Sequence, residues 1–208
     1  MIKALENFKG HEEFEEDLQK RTSENLYGGP VSLAVFDIDQ FLQINNNCGC
    51  EKGDGVIEVI AQIFRAEFAA EDDSLYRLGG DEFAVIQEGT EKEQTFLKME
   101  SARKALASWE SFQHVNPLPT ISAGVAAFPD DGRTKQEVLR KAEDALHRAK
   151  SSGKNKVILA REEKKIPKTS HYTQGQLERL SVLSGKEGVG EAELLREALD
   201  DLLKKYSS

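Results

Sequence analysis

The chain has 208 residues, 38% of them hydrophobic, which suits one medium-sized domain with a real core plus a small appendage. A net charge of −9 argues against a protein that coats nucleic acid along its whole surface, although a whole-chain figure averages over local patches. No apolar run approaches the ~18 residues needed to span a bilayer. The opening Met1-Ile2-Lys3-Ala4-Leu5-Glu6 lacks a signal-peptide pattern, so the expected location is the cytoplasm, with no membrane partner.

In chain order, Phe8 to Asn25 carries apolar residues at Phe8, Phe14 and Leu18 and reads as an amphipathic helix, with Glu12, Glu13, Glu15, Glu16 and Asp17 as a solvated face. Val31-Ser32-Leu33-Ala34-Val35-Phe36 reads as a buried strand that delivers Asp37-Ile38-Asp39 at its carboxyl end, where α/β folds keep their chemistry. Gly53 to Ala69 follows as a helix with Val56, Ile57, Ile60, Ile63, Phe64 and Phe68 on one face. Ser74 to Leu78 and Phe83 to Ile86 then flank Gly79-Gly80-Asp81-Glu82 and form a tight hairpin. Its paired glycines allow positive φ, and its two acids are hard oxygen donors of the kind Mg²⁺ prefers. If the first strand lies beside this hairpin, Asp37 and Asp81 converge on one metal pair, an arrangement that holds a nucleoside triphosphate for in-line displacement.

Beyond the hairpin, Thr90 to Phe112 reads as a helix with Trp109 packing, Leu118 to Phe128 as a strand, Asp131 to Lys150 as a helix and Asn155 to Leu159 as the strand that closes the sheet. This order suits an α/β palm of the ferredoxin-like type. Cys48 and Cys50, the only cysteines, read as free thiols, and His11, His114 and His147 as surface or packing residues.

The segments Asp37-x-Asp39-x-Phe41-x-x-Ile44-Asn45, Gly49-x-x-x-Gly53-Asp54, Arg77-x-Gly79-Gly80-Asp81-Glu82-Phe83 and Ala149-Lys150-x-x-Gly153-Lys154-Asn155 come in that order. Together they resemble the diguanylate cyclase (GGDEF) family from about Val31 to Leu159, and so imply a nucleotide-cyclase palm. Members of that family join two GTP molecules into cyclic di-GMP, one from each half of a dimer. The resemblance implies Mg²⁺ or Mn²⁺ bound by Asp37, Asp81 and the Ile38 carbonyl, with Asp81 and Glu82 catalytic and Glu82 near the reacting 3′-hydroxyl. It implies that Asn45 and Asp54 read guanine, whose two N–H donors a carboxylate can accept. Lys150 and Lys154 would grip phosphates, and Phe41, Gly79 and Gly80 would complete the substrate site.

The chain departs from the family pattern at several positions. Lys154 replaces an Arg and so loses the bidentate fork. Leu42 stands in place of a phosphate-side Lys, and Cys50 in place of a His. Ala70 stands where the Arg of an inhibitory Arg-x-x-Asp product site would fall, leaving Asp73. Leu5 to Phe14 replaces the usual opening motif, which removes the usual acidic partner of Arg77.

Past residue 160 the composition changes, giving an expected division into 1–160 and 161–208. Arg161 to Lys168 is a charged linker. Thr169 to Tyr172 reads as a short strand, Thr173 as a cap, and two helices follow, with Leu177, Leu180 and Leu183 on the first and Leu194, Leu195, Ala198, Leu199, Leu202 and Leu203 on the second. This unit is similar to a ribbon-helix-helix domain, whose strands pair between two chains and enter the DNA major groove. The candidate DNA contacts are Thr169, His171 and Lys168, with Lys164 and Lys165 near phosphates. A helical hairpin that only dimerises is the competing reading, since residues 161–208 hold nine basic against nine acidic residues. For the whole chain two functions stand open: a homodimeric cyclase that takes GTP, and a catalytically weak GTP or cyclic di-GMP sensor coupled to a DNA-binding regulator.

Overall fold

The computed structural model describes residues 5, 8–23, 29–70, 73–112, 115–161, 169–187 and 189–206, and the chain falls into two compact units, 1–163 and 164–208. The first runs α1 (His11–Ser23), β1 (Val31–Ile38), α2 (Phe41–Cys48), α3 (Cys50–Glu67), β2 (Asp73–Gly79), β3 (Glu82–Glu88), α4 (Lys92–Ala107), β4 (Ile121–Phe128), α5 (Lys135–Ser151) and β5 (Val157–Leu159). The strands form one sheet in the order β2-β3-β1-β4-β5, antiparallel except for the β4–β5 pair. It is the mixed α/β palm that the order of elements implies.

Central β1 is buried along its whole length, which explains its unbroken apolar run. Ala34, Phe36 and Ile38 face a layer built from α3 and α4, whereas Val31, Leu33 and Val35 face α1 and α5. Phe36 stacks on Phe64 at 4.2 Å and on Phe83 at 5.2 Å between ring centroids, and each such side chain contributes roughly 1.5–3 kcal/mol by burial. On the other face Gly124 lets α5 lie directly on β4. A Cβ there would fall 2.0 Å from the Ala142 carbonyl oxygen, so the glycine fixes how close the carboxyl end of α5 comes to the sheet.

Several boundaries differ from those expected. The helix that begins near residue 90 ends at Ala107, where the Ser108 amide turns back to the Lys104 carbonyl and a short 3₁₀ turn, Glu110–Phe112, follows. The next helix starts at Lys135 because Thr134 caps it by accepting the Glu137 amide. Asp131 lies outside it and is held by Lys92 and the Ala127 amide. β4 begins at Ile121, and β5 begins only at Val157, since Gly153, Lys154 and Asn155 all have positive φ, at 110°, 61° and 48°.

The acidic face of α1 is not merely solvated. Asp17 accepts the Tyr76 hydroxyl at 2.7 Å and the Lys9 ammonium at 2.6 Å, and Glu15 pairs with Lys135. The segment before α1 runs beside β2: the Lys9 amide donates to Leu75 and its carbonyl accepts from the Arg77 amide.

The second unit contains α6 (Gln174–Glu187) and α7 (Glu191–Tyr206). Thr173 and Gln176 form a reciprocal capping box ahead of α6, as the expected cap at Thr173 requires. The strand expected over residues 169–172 is not formed, and these residues are irregular. A ribbon strand takes its hydrogen bonds from a second chain, so the lone segment has no ladder to join. Lys164, Lys165, Lys168 and His114 lie outside the described residues.

Candidate active site

The carboxyl end of β1 and the tip of the β2–β3 hairpin meet at one rim. Asp37 lies directly opposite Glu82 in the β1–β3 register, which puts both side chains on the same face, and the Ile38 amide donates to the Asp81 carbonyl at 3.2 Å. The end of β1 thus lies beside the hairpin tip, which is the placement the expected metal pair requires of the backbone. Asp37 is 7% exposed. Burial lifts its carboxyl to about 6, a rise opposed by the Lys150 ammonium and reinforced by the charges of Asp81 and Glu82. Lys150, at the end of α5, pairs with Asp37 at 2.6 Å. With no nucleotide present, the lysine expected at the phosphates rests on the buried carboxylate.

Among the described residues no three histidine, cysteine or acidic side chains gather into a cage sufficient to hold a metal. Mg²⁺ does not need one, because it keeps several waters and takes one or two carboxylates together with substrate phosphates. Asp37 and its acidic neighbours at the hairpin tip fit that requirement, since a carboxylate raised by burial, and further by adjacent negative charge, gains from a bound cation.

A few residues away, α2 and α3 meet at Gly49, whose amide donates to the Asn45 carbonyl and whose carbonyl accepts from the Lys52 and Gly53 amides. Gly53 is required by close approach: a Cβ would fall 1.9 Å from Asn45 Oδ1 and 3.3 Å from the Phe41 ring. The Asn45 and Phe41 side chains thus both close over Gly53, with Asp54, the next residue, exposed. Asn45 Oδ1 is buried and lacks a hydrogen-bond partner in the protein, an unmet acceptor of the kind that marks a ligand site.

Other expected site residues divide clearly. Glu82, Gly79, Gly80 and Lys154 are exposed at the rim and Asp81 is half-buried. Leu42 is 73% exposed. Arg77 donates to the Gly80 carbonyl from Nε at 3.2 Å and Nη2 at 2.7 Å and lies over the Phe83 ring, so it props the hairpin from within. Asp73 is fully engaged, accepting Gln87 Nε2 at 2.6 Å and Lys98 Nζ at 3.3 Å. Cys48 and Cys50 are free.

Asp39 was visible in the Asp-x-Asp pair, but its work was not. It is 2% exposed and accepts from Thr120 Oγ1 (2.8 Å), Ser122 Oγ (2.7 Å) and the Asn155 amide (2.9 Å). It thereby ties β1, β4 and the 152–156 loop together. Thr120 and Ser122, alternating polar residues at the entry of an otherwise apolar strand, were the signal that a buried acid waits nearby.

Residues 4–156 match the family described as diguanylate cyclase, GGDEF domain. The chain belongs to that family. Residues 164–207 match a ribbon-helix-helix domain. The GGDEF region is similar to diguanylate cyclase DgcP of Pseudomonas aeruginosa, 34% identical over 150 residues, which is 72% of this chain and 22% of that protein. The chain thus spans about a fifth of that relative. Among solved structures it resembles the GGDEF domain of DgcB from Caulobacter crescentus in complex with c-di-GMP (TM-score 0.67, 28% identity, 75% of this chain and 93% of that one). It also resembles the active GGEEF domain of a diguanylate cyclase from Vibrio cholerae (TM-score 0.68, 26% identity, 75% and 99%). No described helix is long and apolar enough to cross a membrane.

Proposed function

We propose that this GGDEF domain, taken as residues 1–160, is a cytoplasmic diguanylate cyclase that condenses two GTP molecules into cyclic di-GMP across a homodimer. The observation that carries the reading is the buried Asp37 facing Glu82 and the hairpin acids, with the Lys150 ammonium drawn onto it. This is a concentration of negative charge on a rim that a divalent cation and a triphosphate would relieve together.

In this reading Asp37, the Ile38 carbonyl and Asp81 hold Mg²⁺ or Mn²⁺. The ion, when bound, would neutralise phosphate charge and make the 3′-hydroxyl easier to ionise. Lys150, released from Asp37, moves to the phosphates with Lys154. Asn45 Oδ1 gains its missing partner from a guanine N–H donor, and Asp54 accepts the remaining edge donors, which adenine does not offer. Phe41 backs the base, and Gly79 and Gly80 leave room for the phosphates. Glu82 serves as acceptor for the proton of the 3′-hydroxyl, whose oxygen bonds to the α-phosphorus of the opposite GTP as pyrophosphate leaves. Repetition of the step with the roles exchanged closes the ring.

The unit from 161 to 208 pairs two chains and raises the effective concentration of one half-site for the other. If its strands form a ribbon, Thr169, His171 and Lys168 face DNA. A second reading, a weak sensor of GTP or cyclic di-GMP coupled to that DNA-binding unit, is favoured by Leu42, exposed where the family carries a lysine. Incubating the pure chain with GTP and Mg²⁺ separates the two. Cyclic di-GMP at many turnovers supports the enzyme, while nucleotide binding without turnover supports the sensor.

A further inference from the structure

Between the end of α5 and the start of β5, the chain passes through three successive residues with positive φ, two of which, Lys154 and Asn155, are not glycine. Each such residue costs on the order of 1–2 kcal/mol unless its surroundings hold it. Part of the hold is local: the Lys154 amide donates to the Ala149 carbonyl at 3.0 Å, and the Asn155 amide to Asp39. The rest comes from α4, across the sheet from α5. Arg103 sends Nη1 to Asn155 Oδ1 at 2.8 Å and grips Glu100 with Nε at 2.8 Å and Nη2 at 2.9 Å. Glu100 in turn accepts the Val157 amide at 3.3 Å. Both chain ends of the turn Asn155–Val157 are thus anchored to one arginine–carboxylate fork. The fork is largely shielded, with side-chain exposures of 15% for Arg103 and 21% for Glu100, and the Arg103 contact holds the Glu100 carboxyl below the usual carboxylate range.

We propose that Arg103, with Glu100, is a positioning residue for the phosphate grip. It fixes the left-handed turn that presents Lys154, so that this lysine stands ready for a triphosphate although Arg103 touches no nucleotide. The inference rests on the nucleotide reading above. Only a planar fork with three aligned donors can serve Glu100 and Asn155 at once, so lysine cannot replace it.

The test compares the full-length chain with Arg103→Leu, Arg103→Lys and Lys154→Ala, using GTP and guanosine as separate probes in equilibrium binding. Both Arg103 variants should weaken GTP on the order of tenfold to a hundredfold and leave guanosine unchanged. Arg103→Leu combined with Lys154→Ala should be no worse than Lys154→Ala alone, because both remove one contact. Equal losses for guanosine, rescue by Arg103→Lys, or additive effects would overturn the proposal. Hydrogen exchange supplies a second measurement that needs no nucleotide. Arg103→Leu should speed exchange at Lys154, Asn155 and Val157 while β1 amides stay protected, and unchanged protection at those three overturns the proposal by itself. A parent chain that binds no GTP instead defeats the nucleotide reading, and the exchange comparison still decides whether Arg103 holds the turn.

Discussion

The two units of the chain solve opposite problems. Residues 1–163 close over their apolar side chains on both faces of a five-stranded sheet and keep their discomfort in charge, at the rim where a buried Asp37 faces other acids. Among the described residues from 169 to 206 the discomfort is apolar. None of the described residues from 169 to 206 is buried, and Leu177, Leu183, Leu199, Leu202 and Leu203 stand 43–56% exposed. Electrostatic strain at a rim can be relieved by a cation and a substrate, whereas uncovered leucines are relieved only by more protein. The place where each unit is unsatisfied indicates what it waits for.

The sharpest way to break this comparison is at the rim. Asp81→Asn should lower cyclic di-GMP formation on the order of 10³-fold or more while circular dichroism and oligomeric state stay those of the parent. A variant that forms product at the parent rate would show that the rim charge serves something other than the reaction.

The next largest effect belongs to the second unit. Deletion of residues 161–208 should leave a folded monomer in light scattering and reduce product formation about 10²-fold at low protein concentration, because paired half-sites lose their tether. A truncated chain that stays dimeric would place the association surface in the first unit and erase the contrast.

A smaller effect tests whether the rim is strained. Asp37 has a folded value of about 6, above its usual 3.8, so the native state holds the extra proton between those values. Its contribution to stability therefore falls as pH rises from about 4 to about 6 and is flat above. Asp37→Asn should remove that slope and match the parent near pH 4. Near pH 8 it should exceed the parent by roughly 1–2 kcal/mol in denaturant melts, while losing activity.

The smallest effect is expected at Asp73, where Asp73→Ala should leave the product-inhibition curve unchanged. Its cost should be confined to about 1–2 kcal/mol of stability from the contacts to Gln87 and Lys98.

Much of this was legible in the residues. Apolar runs and glycine-punctuated turns locate the strands, and Asp37, Asp81 and Glu82 assemble where strand ends and a hairpin tip must meet. What sequence could not carry were contacts between side chains distant along the chain. Lys150 on Asp37, Asp39 beneath the 152–156 loop and Arg103 behind Asn155 depend on how α5 and α4 seat on opposite faces of the sheet. A close approach at Gly124 helps to set that seating on the α5 side, and periodicity does not encode it. The strand over 169–172 failed for a different reason: none of the described strands pairs with it, and propensity alone does not form a ladder.

Asp73 has one more consequence. Its carboxylate holds β3 to α4 through Gln87 and Lys98 and also accepts the Ala70 amide at 3.4 Å. The acid at that position is a cross-brace between sheet and helix, committed before any ligand arrives.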